Sequence, residues 1–247
     1  MDLIYREQHT VSFTDCDCFG RLRPSALVTM VQQCGNSQCL QMDLGWDKMA
    51  GKGLFWAVIR QRVAITRLPG QGETITIETW PGTTSRVAYP RSAVAYDAQG
   101  NELFRSIGLW VLMDLNTRAM ILPGDSGICV TGCVRENELA LPRSLSLKNL
   151  SGLASRQVTF SELDMNGHMN NTRYLDWAAD LLPSAFHRDH PLRSFTINYT
   201  SEAREAEQLR LQYEMTPDGQ LSVEATRPDE DNHAKHHRVF ALQAQYV

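Results

Sequence analysis

The chain has no run approaching the ~20 apolar residues that a membrane-crossing helix needs, so no insertion into a bilayer is expected. Residues Met1 to Glu7 lack the basic stretch and apolar core of a secretory signal, which points to a cytoplasmic protein. An excess of positive charge is missing too. The formal net charge is −4, which gives no general affinity for nucleic acid. The cysteines stand as Cys16/Cys18, Cys34/Cys39 and Cys129/Cys133, without C-x-x-C spacing, and no histidine cluster completes a four-ligand set. Six reduced thiols, no metal and no cofactor are the expectation. What is present, 43% apolar and 21% charged residues in 247, suffices for a packed core.

Against this background one stretch is dense in polar side chains. Between Val158 and Asn170 the sequence gathers Asp164, Asn166, Gly167 and His168 within five positions, and Asn170 and Asn171 follow at once. An earlier stretch, Val11 to Arg23, repeats the pattern in reduced form. Val11 aligns with Val158, Phe13 with Phe160, Asp17 with Asp164 and Gly20 with Gly167, while Phe19 and Arg21 replace Asn166 and His168. A duplicated unit implies two domains. The expected division is an N-terminal domain over 1–122, a linker over 123–155 and a C-terminal domain over 156–247.

Each half reads as a strand, a helix and then several strands. In the first, Tyr5 to Phe13 is the opening strand. Pro24 starts a helix, because the N–H it lacks would be unpaired there anyway. Leu27, Met30, Val31, Cys34 and Leu40 are expected on its buried face. Strands are predicted over Phe55–Ile65, Glu73–Trp80, Arg86–Asp97 and Leu103–Leu115, with a turn at Asp97 to Gly100. In the second half Val158 to Glu162 is the expected opening strand. One helix from Asn171 to Phe186 should bury Tyr174, Leu175, Ala178, Leu181 and Leu182. Strands follow at Phe195–Thr200, Gln208–Met215, Leu221–Thr226 and Val239–Val247, with Pro217 to Gly219 as a hairpin turn. The fold class is therefore α+β, an antiparallel sheet wrapped around a long central helix in each half. Two such sheets could pair edge to edge, each hiding one exposed edge.

A helix entry would account for part of the Asp164–Asn171 motif, since Asn and Asp cap first-turn N–H groups and Gly permits a positive φ. It does not account for His168, whose counterpart Arg21 argues that the fold itself needs no imidazole. Asp17, retained in the first copy, argues that Asp164 has a structural share in its role.

The run Asp164 to Asn171, followed by Tyr174 and Trp177, resembles the double-hotdog acyl-ACP thioesterases of bacteria and plant plastids. The likeness extends over nearly the whole chain. Thr79-Trp80-Pro81 and the strand from Ser106 to Leu115 around Trp110 are similar to the first hotdog of that family. Ile197 to Glu202 is similar to its second-domain strand, which ends in a catalytic glutamate. The resemblance implies a tandem hotdog fold and a catalytic set of Asp164, Asn166, His168 and Glu202. It also implies hydrolysis of fatty acyl-acyl carrier protein to free fatty acid, ending fatty-acid synthesis. Plant members carry a cysteine directly after the glutamate. Here that residue is Ala203, so a water or carboxylate route is expected.

Thioester hydrolysis needs a nucleophile at neutral pH, a polarised carbonyl and a proton for the departing thiol. Glu202 is expected to act as general base, a role worth ~10²–10⁴ in rate. His168 is expected to hydrogen-bond the reacting centre or protonate the leaving group, and Asn166 to hold water or the imidazole. Asp164 would orient the set. Backbone N–H groups around Met169 to Asn171 are expected to stabilise the oxyanion, one donor being worth roughly 3–4 kcal/mol. Asn170 and Asn171 are further substrate-binding candidates. In the first copy Leu68 falls opposite Glu202, and Phe19, Met30 and Val31 are candidate linings for an acyl pocket. The expected partner is acyl carrier protein bearing a phosphopantetheine-linked chain. Basic contacts to it are expected from Arg60, Arg62, Arg67, Lys235, His236, His237 and Arg238. A pseudo-dimeric monomer or a homodimer would suit a duplicated chain. The rival readings are an acyl-CoA thioesterase of the same fold, a hotdog dehydratase, and a non-catalytic acyl-thioester-binding protein.

Overall fold

In the computed structural model, residues 3–133, 135, 137–228 and 236–247 are described. They form two units, Met1–Pro142 and Arg143–Val247. The first contains β1 (Tyr5–Thr10), α1 (Pro24–Gln41), α2 (Trp46–Ala50), β2 (Leu54–Ile65) and β3 (Thr74–Pro81). It continues with β4 (Tyr89–Tyr96), β5 (Glu102–Asp114), the short β6 (Met120–Ile121) and α3 (Pro123–Ser126). Its antiparallel strands lie in the order β1-β3-β4-β5-β2, with β6 on β5.

Helix α1 starts at Pro24 and buries Leu27, Val28, Met30, Val31 and Cys34. The Cys34 thiol donates to the Ile77 carbonyl at 3.7 Å, which sets the helix on β3, and burial pushes that thiol up to about 12. Gly35 permits a close approach to β4, since a Cβ there would stand 3.1 Å from Arg91 Cδ. Arg91 uses the space to donate to Gln38 Oε1 at 2.6 Å. Leu40, expected on the buried face, is instead 59% exposed. It lies about 140° around the helix from Leu27 at 3.6 residues per turn.

The second unit contains β7 (Gly152–Gln157), α4 (Arg173–Ala179), α5 (Ser184–Asp189), β8 (Leu192–Tyr199), β9 (Gln208–Met215), β10 (Gln220–Pro228) and β11 (His236–Tyr246). Its strand order, β7-β9-β10-β11-β8, is that of the first unit repeated. Each half is thus an α+β hotdog, an antiparallel sheet with a helix packed on it. Tyr174 of α4 lies against Phe240 of β11, their ring centroids 4.7 Å apart, and against Tyr199 of β8 at 6.0 Å.

Three boundaries differ from the sequence reading. The opening strand of the second unit is Gly152–Gln157 rather than Val158–Glu162. That of the first unit stops at Thr10. After each strand the chain turns into a short 3-10 segment, Phe13–Asp15 or Phe160–Glu162, closed by a capping box, Ser12 with Asp15 and Thr159 with Glu162. The expected single helix from Asn171 to Phe186 is two helices. Pro183 has no N–H to continue the first and stands as the cap of the second. Leu181 and Leu182 therefore fall in the connection and are only half-buried. No helix among the described residues is long and apolar enough to cross a membrane.

Candidate active site

The two copies of the motif share one backbone scaffold. Asp17 N–H donates to the Arg21 carbonyl at 2.7 Å, and Asp164 N–H to the His168 carbonyl at 2.8 Å. Gly20 and Gly167 turn the chain at φ 76° and 75°. Each donates its N–H to the preceding aspartate carbonyl at 3.0 Å. Leu22 N–H then meets the Pro69 carbonyl and Met169 N–H the Ala203 carbonyl, both at 2.8 Å. Pro69 and Ala203 are therefore equivalent, and one residue earlier Leu68 stands opposite Glu202.

On this common scaffold the side chains diverge. In the first copy Arg21 Nη2 lies 3.0 Å from Asp17 Oδ2, and its guanidinium sits 4.8 Å from the Phe19 ring centroid. In the second, Asn166 Nδ2 donates to Asp164 Oδ2 at 3.3 Å. His168 Nε2 lies 3.2 Å from Glu202 Oε2, with side-chain exposures of 10% for the histidine and 41% for the glutamate. An enclosed imidazole thus meets a carboxylate that water can reach. The Asp164 carboxylate accepts the His168 backbone N–H at 3.4 Å.

The other candidates fall into distinct places. Asn170 Oδ1 accepts the Thr172 N–H and hydroxyl, both at 2.9 Å, and so shapes the entry to α4. Asn171 Nδ2 is buried without a hydrogen-bond partner among the described residues. It lies near the Tyr199 hydroxyl but outside hydrogen-bonding geometry. Of the backbone N–H groups around Met169 to Asn171 expected to serve as oxyanion donors, those of Met169 and Asn170 are engaged elsewhere, and the expectation is corrected for these two. They donate to the Ala203 and Glu162 carbonyls, each at 2.8 Å, because these bonds close the motif loop. Glu162 accepts from the Trp177 indole as well. Burial pushes its carboxyl up, but bonds from Thr159 N–H, Trp177 and the Thr159 hydroxyl outweigh it and hold the group below the ordinary range.

In the first unit Met30 and Val31 are buried, while Phe19 is 38% exposed beneath Arg21. Of the basic candidates, Arg67 is paired with Glu73 and Arg238 with Glu224. Arg60 and Arg62 lie half-buried on β2, and His237 lies on β11. Lys235 and the side chain of His236 lie outside the described residues. The sequence reading passed over Arg227 on β10. Its Nη1 donates to Glu207 Oε2 at 2.6 Å, and its Nη2 to Ser201 Oγ at 2.8 Å and the Glu202 carbonyl at 2.7 Å. A single arginine in an alternating strand carries no motif that would have marked it.

Residues 2–122 match the acyl-ACP thioesterase N-terminal domain family, and residues 149–241 the acyl-ACP thioesterase C-terminal domain family. The chloroplastic dodecanoyl-[acyl-carrier-protein] hydrolase of Cinnamomum camphora is 29% identical over 167 residues, 63% of this chain and 43% of that protein. The chloroplastic oleoyl-acyl carrier protein thioesterase 1 of Arabidopsis thaliana is 24% identical over 225 residues, 82% of this chain and 61% of that protein. The chain spans about half the length of the curated relatives it matches. An acyl-ACP thioesterase from Bacteroides thetaiotaomicron superposes with a TM-score of 0.84 at 21% identity, covering 100% of this chain and 98% of that one. The 12:0-ACP thioesterase from Umbellularia californica superposes at 0.82 with 20% identity and the same coverage. With both halves matched in order, the chain belongs to the acyl-ACP thioesterase family.

Proposed function

We propose that the protein hydrolyses fatty acyl-acyl carrier protein to free fatty acid and carrier, using one centre in its second unit. The observation that carries this reading is the 3.2 Å contact of His168 with Glu202, set against Arg21 and Leu68 at the same places in the first unit. Glu202, partly open to solvent, takes a proton from water as the water oxygen attacks the thioester carbonyl carbon. The Asn171 side-chain amide, whose Nδ2 is buried with no hydrogen-bond partner among the described residues, is the proposed donor to the developing oxyanion. The carbon–sulfur bond then breaks, and the proton passes through the Glu202–His168 pair to the departing thiolate. Asn166 and Asp164 hold the turn that presents His168. Ala203 leaves no thiol after Glu202 to serve as nucleophile. Acyl carrier protein as carrier follows from the family relationship, and Met30, Val31 and Phe19 remain the proposed contacts for the acyl chain.

The test is thiol release over acyl-acyl carrier proteins of graded chain length, with the same acyl chains on coenzyme A alongside. Turnover on the carrier protein is expected to exceed that on coenzyme A. Glu202→Ala and His168→Ala should each lose ~10²–10⁴ in rate while staying folded. Near-normal turnover in either variant sinks the assignment of the pair, and no release from any acyl-carrier substrate sinks the function.

A further inference from the structure

The loop that carries Glu202 is clasped by an arginine in a way its counterpart is not. In the first unit Arg67 lies on the loop itself and grips Glu73 with both amines, Nη1 to Oε1 at 2.7 Å and Nη2 to Oε2 at 2.8 Å. The same backbone register makes Ser201 the equivalent of Arg67 and Glu207 the equivalent of Glu73. Val11 N–H donates to the Glu73 carbonyl at 2.9 Å and Val158 N–H to the Glu207 carbonyl at 3.0 Å. In the second unit the guanidinium comes from β10 instead. Arg227 spends only Nη1 on Glu207. Its Nη2 is released to hold the Ser201 hydroxyl and the Glu202 carbonyl. Ser201 Oγ in turn donates to the Arg238 carbonyl at 3.1 Å, which ties the grip to β11.

We propose that Arg227 is a positioning residue, fixing the main chain of Glu202 so that its carboxylate meets His168 and the attacking water. This rests on the reading of Glu202 as the base. A clasp needed only for folding would be satisfied by the first unit's arrangement, in which both amines meet the glutamate. Moving the arginine to another strand adds donors on the Ser201 hydroxyl and on the carbonyl of Glu202, the residue that Leu68 replaces in the first unit. The guanidinium divides the three acceptors between two nitrogens of a rigid fork, Nη1 on Glu207 and Nη2 on Ser201 and Glu202, and lysine, with one nitrogen, has no such fork.

The experiment measures kcat and KM for thiol release from acyl-acyl carrier protein, with the thermal midpoint, in Arg227→Lys, Arg227→Ala, the double variant Ser201→Arg/Arg227→Ala, and Glu202→Gln. In Arg227→Lys and Arg227→Ala, kcat is expected to fall about 10- to 100-fold, the cost of misplacing a reacting group by roughly 1 Å. KM should stay within about threefold, as for an interaction expressed in the transition state. The double variant rebuilds the first unit's clasp, so the thermal midpoint should recover while kcat does not. Recovery of kcat together with the midpoint, or full turnover in Arg227→Lys, overturns the proposal. If Arg227→Ala fails to fold, Arg227→Lys and the double variant decide the matter. Full turnover in Glu202→Gln overturns the base reading and this proposal with it. Loss in Glu202→Gln with full turnover in Arg227→Lys overturns the role of Arg227 alone.

Discussion

Asp17 and Asp164 each offer one carboxylate oxygen to two backbone N–H groups of the turn that follows. Asp17 Oδ1 accepts from Phe19 at 2.9 Å and Arg21 at 3.0 Å, and Asp164 Oδ1 from Asn166 at 2.8 Å and His168 at 3.4 Å. The aspartate is therefore a turn-holder wherever the motif occurs, and only in the second copy does the turn present an imidazole. Asp17→Ala should cost about 1–2 kcal/mol, as expected for charge-assisted bonds partly exposed to water, and leave turnover intact. Asp164→Ala should cost a similar amount and also remove turnover. Urea midpoints and thiol release measure the two effects; a catalytic defect in Asp17→Ala would show that the copies are not independent. The aspartates, the glycines and the substitution of His168 by Arg21 were all legible in the sequence, because they occupy fixed places in a repeat. The direction of the imidazole was not. It turns toward Glu202, on a loop remote in sequence, and only the folded register of Met169 with Ala203 brings the two together.

The repeat was also legible among the elements, down to strands such as Gln208–Met215, since alternation and hairpin residues mark antiparallel strands locally. Edges and helix ends were read less well. Apolar spacing in Asn171–Phe186 suggests one helix, but backbone chemistry at Pro183 overrides it, leaving α4 much shorter than α1. Turn glycines, by contrast, were placed correctly, and two of them separate strain from crowding. Gly100 and Gly219 both adopt φ 83°, yet a Cβ at Gly100 would meet nothing, whereas one at Gly219 would clash with the Tyr246 carbonyl oxygen. Gly100→Ala should cost about 1–2 kcal/mol, the penalty of left-handed backbone alone. Gly219→Ala should cost more, about 2–4 kcal/mol, because the Tyr246 main-chain carbonyl, which accepts from Gln245 Nε2, must also move. Denaturant titration of both variants checks the difference. Equal losses would mean that the β9–β10 turn yields freely to a side chain.

Across the whole molecule, paired carboxylates and buried phenols set opposite pH limits. The Arg67 hydrogen bond holds Glu73 below the ordinary carboxylate range. Burial pushes Glu78 up, but Arg6 and Arg135 outweigh it and bring it down; Glu162 is likewise depressed. A group whose pKa is lower in the folded state contributes stability above its unfolded pKa and loses it as pH falls through the folded value. Stability should therefore decline below about pH 5, with contributions from both units. Tyrosines act at the other limit. Burial pushes Tyr246 up to about 12 and raises Tyr174 and Tyr199 as well. The folded protein then holds protons that the unfolded chain releases near pH 10, so this stabilising contribution is complete below about pH 10 and lost as pH climbs toward 12. For Tyr246 alone the contribution at stake is about 2–3 kcal/mol. All three tyrosines lie in the second unit with His168 and Glu202. Alkaline loss of turnover and loss of that unit's fold should accordingly coincide. Tyrosinate absorbance, unfolding free energy and thiol release, followed together from pH 8 to 12, test this, taking the range from the ordinary and raised values. Ionisation of all seven tyrosines near pH 10 with the fold intact would show that water reaches these phenols and that the packing of Tyr174 on Phe240 is looser than its 4.7 Å ring contact implies.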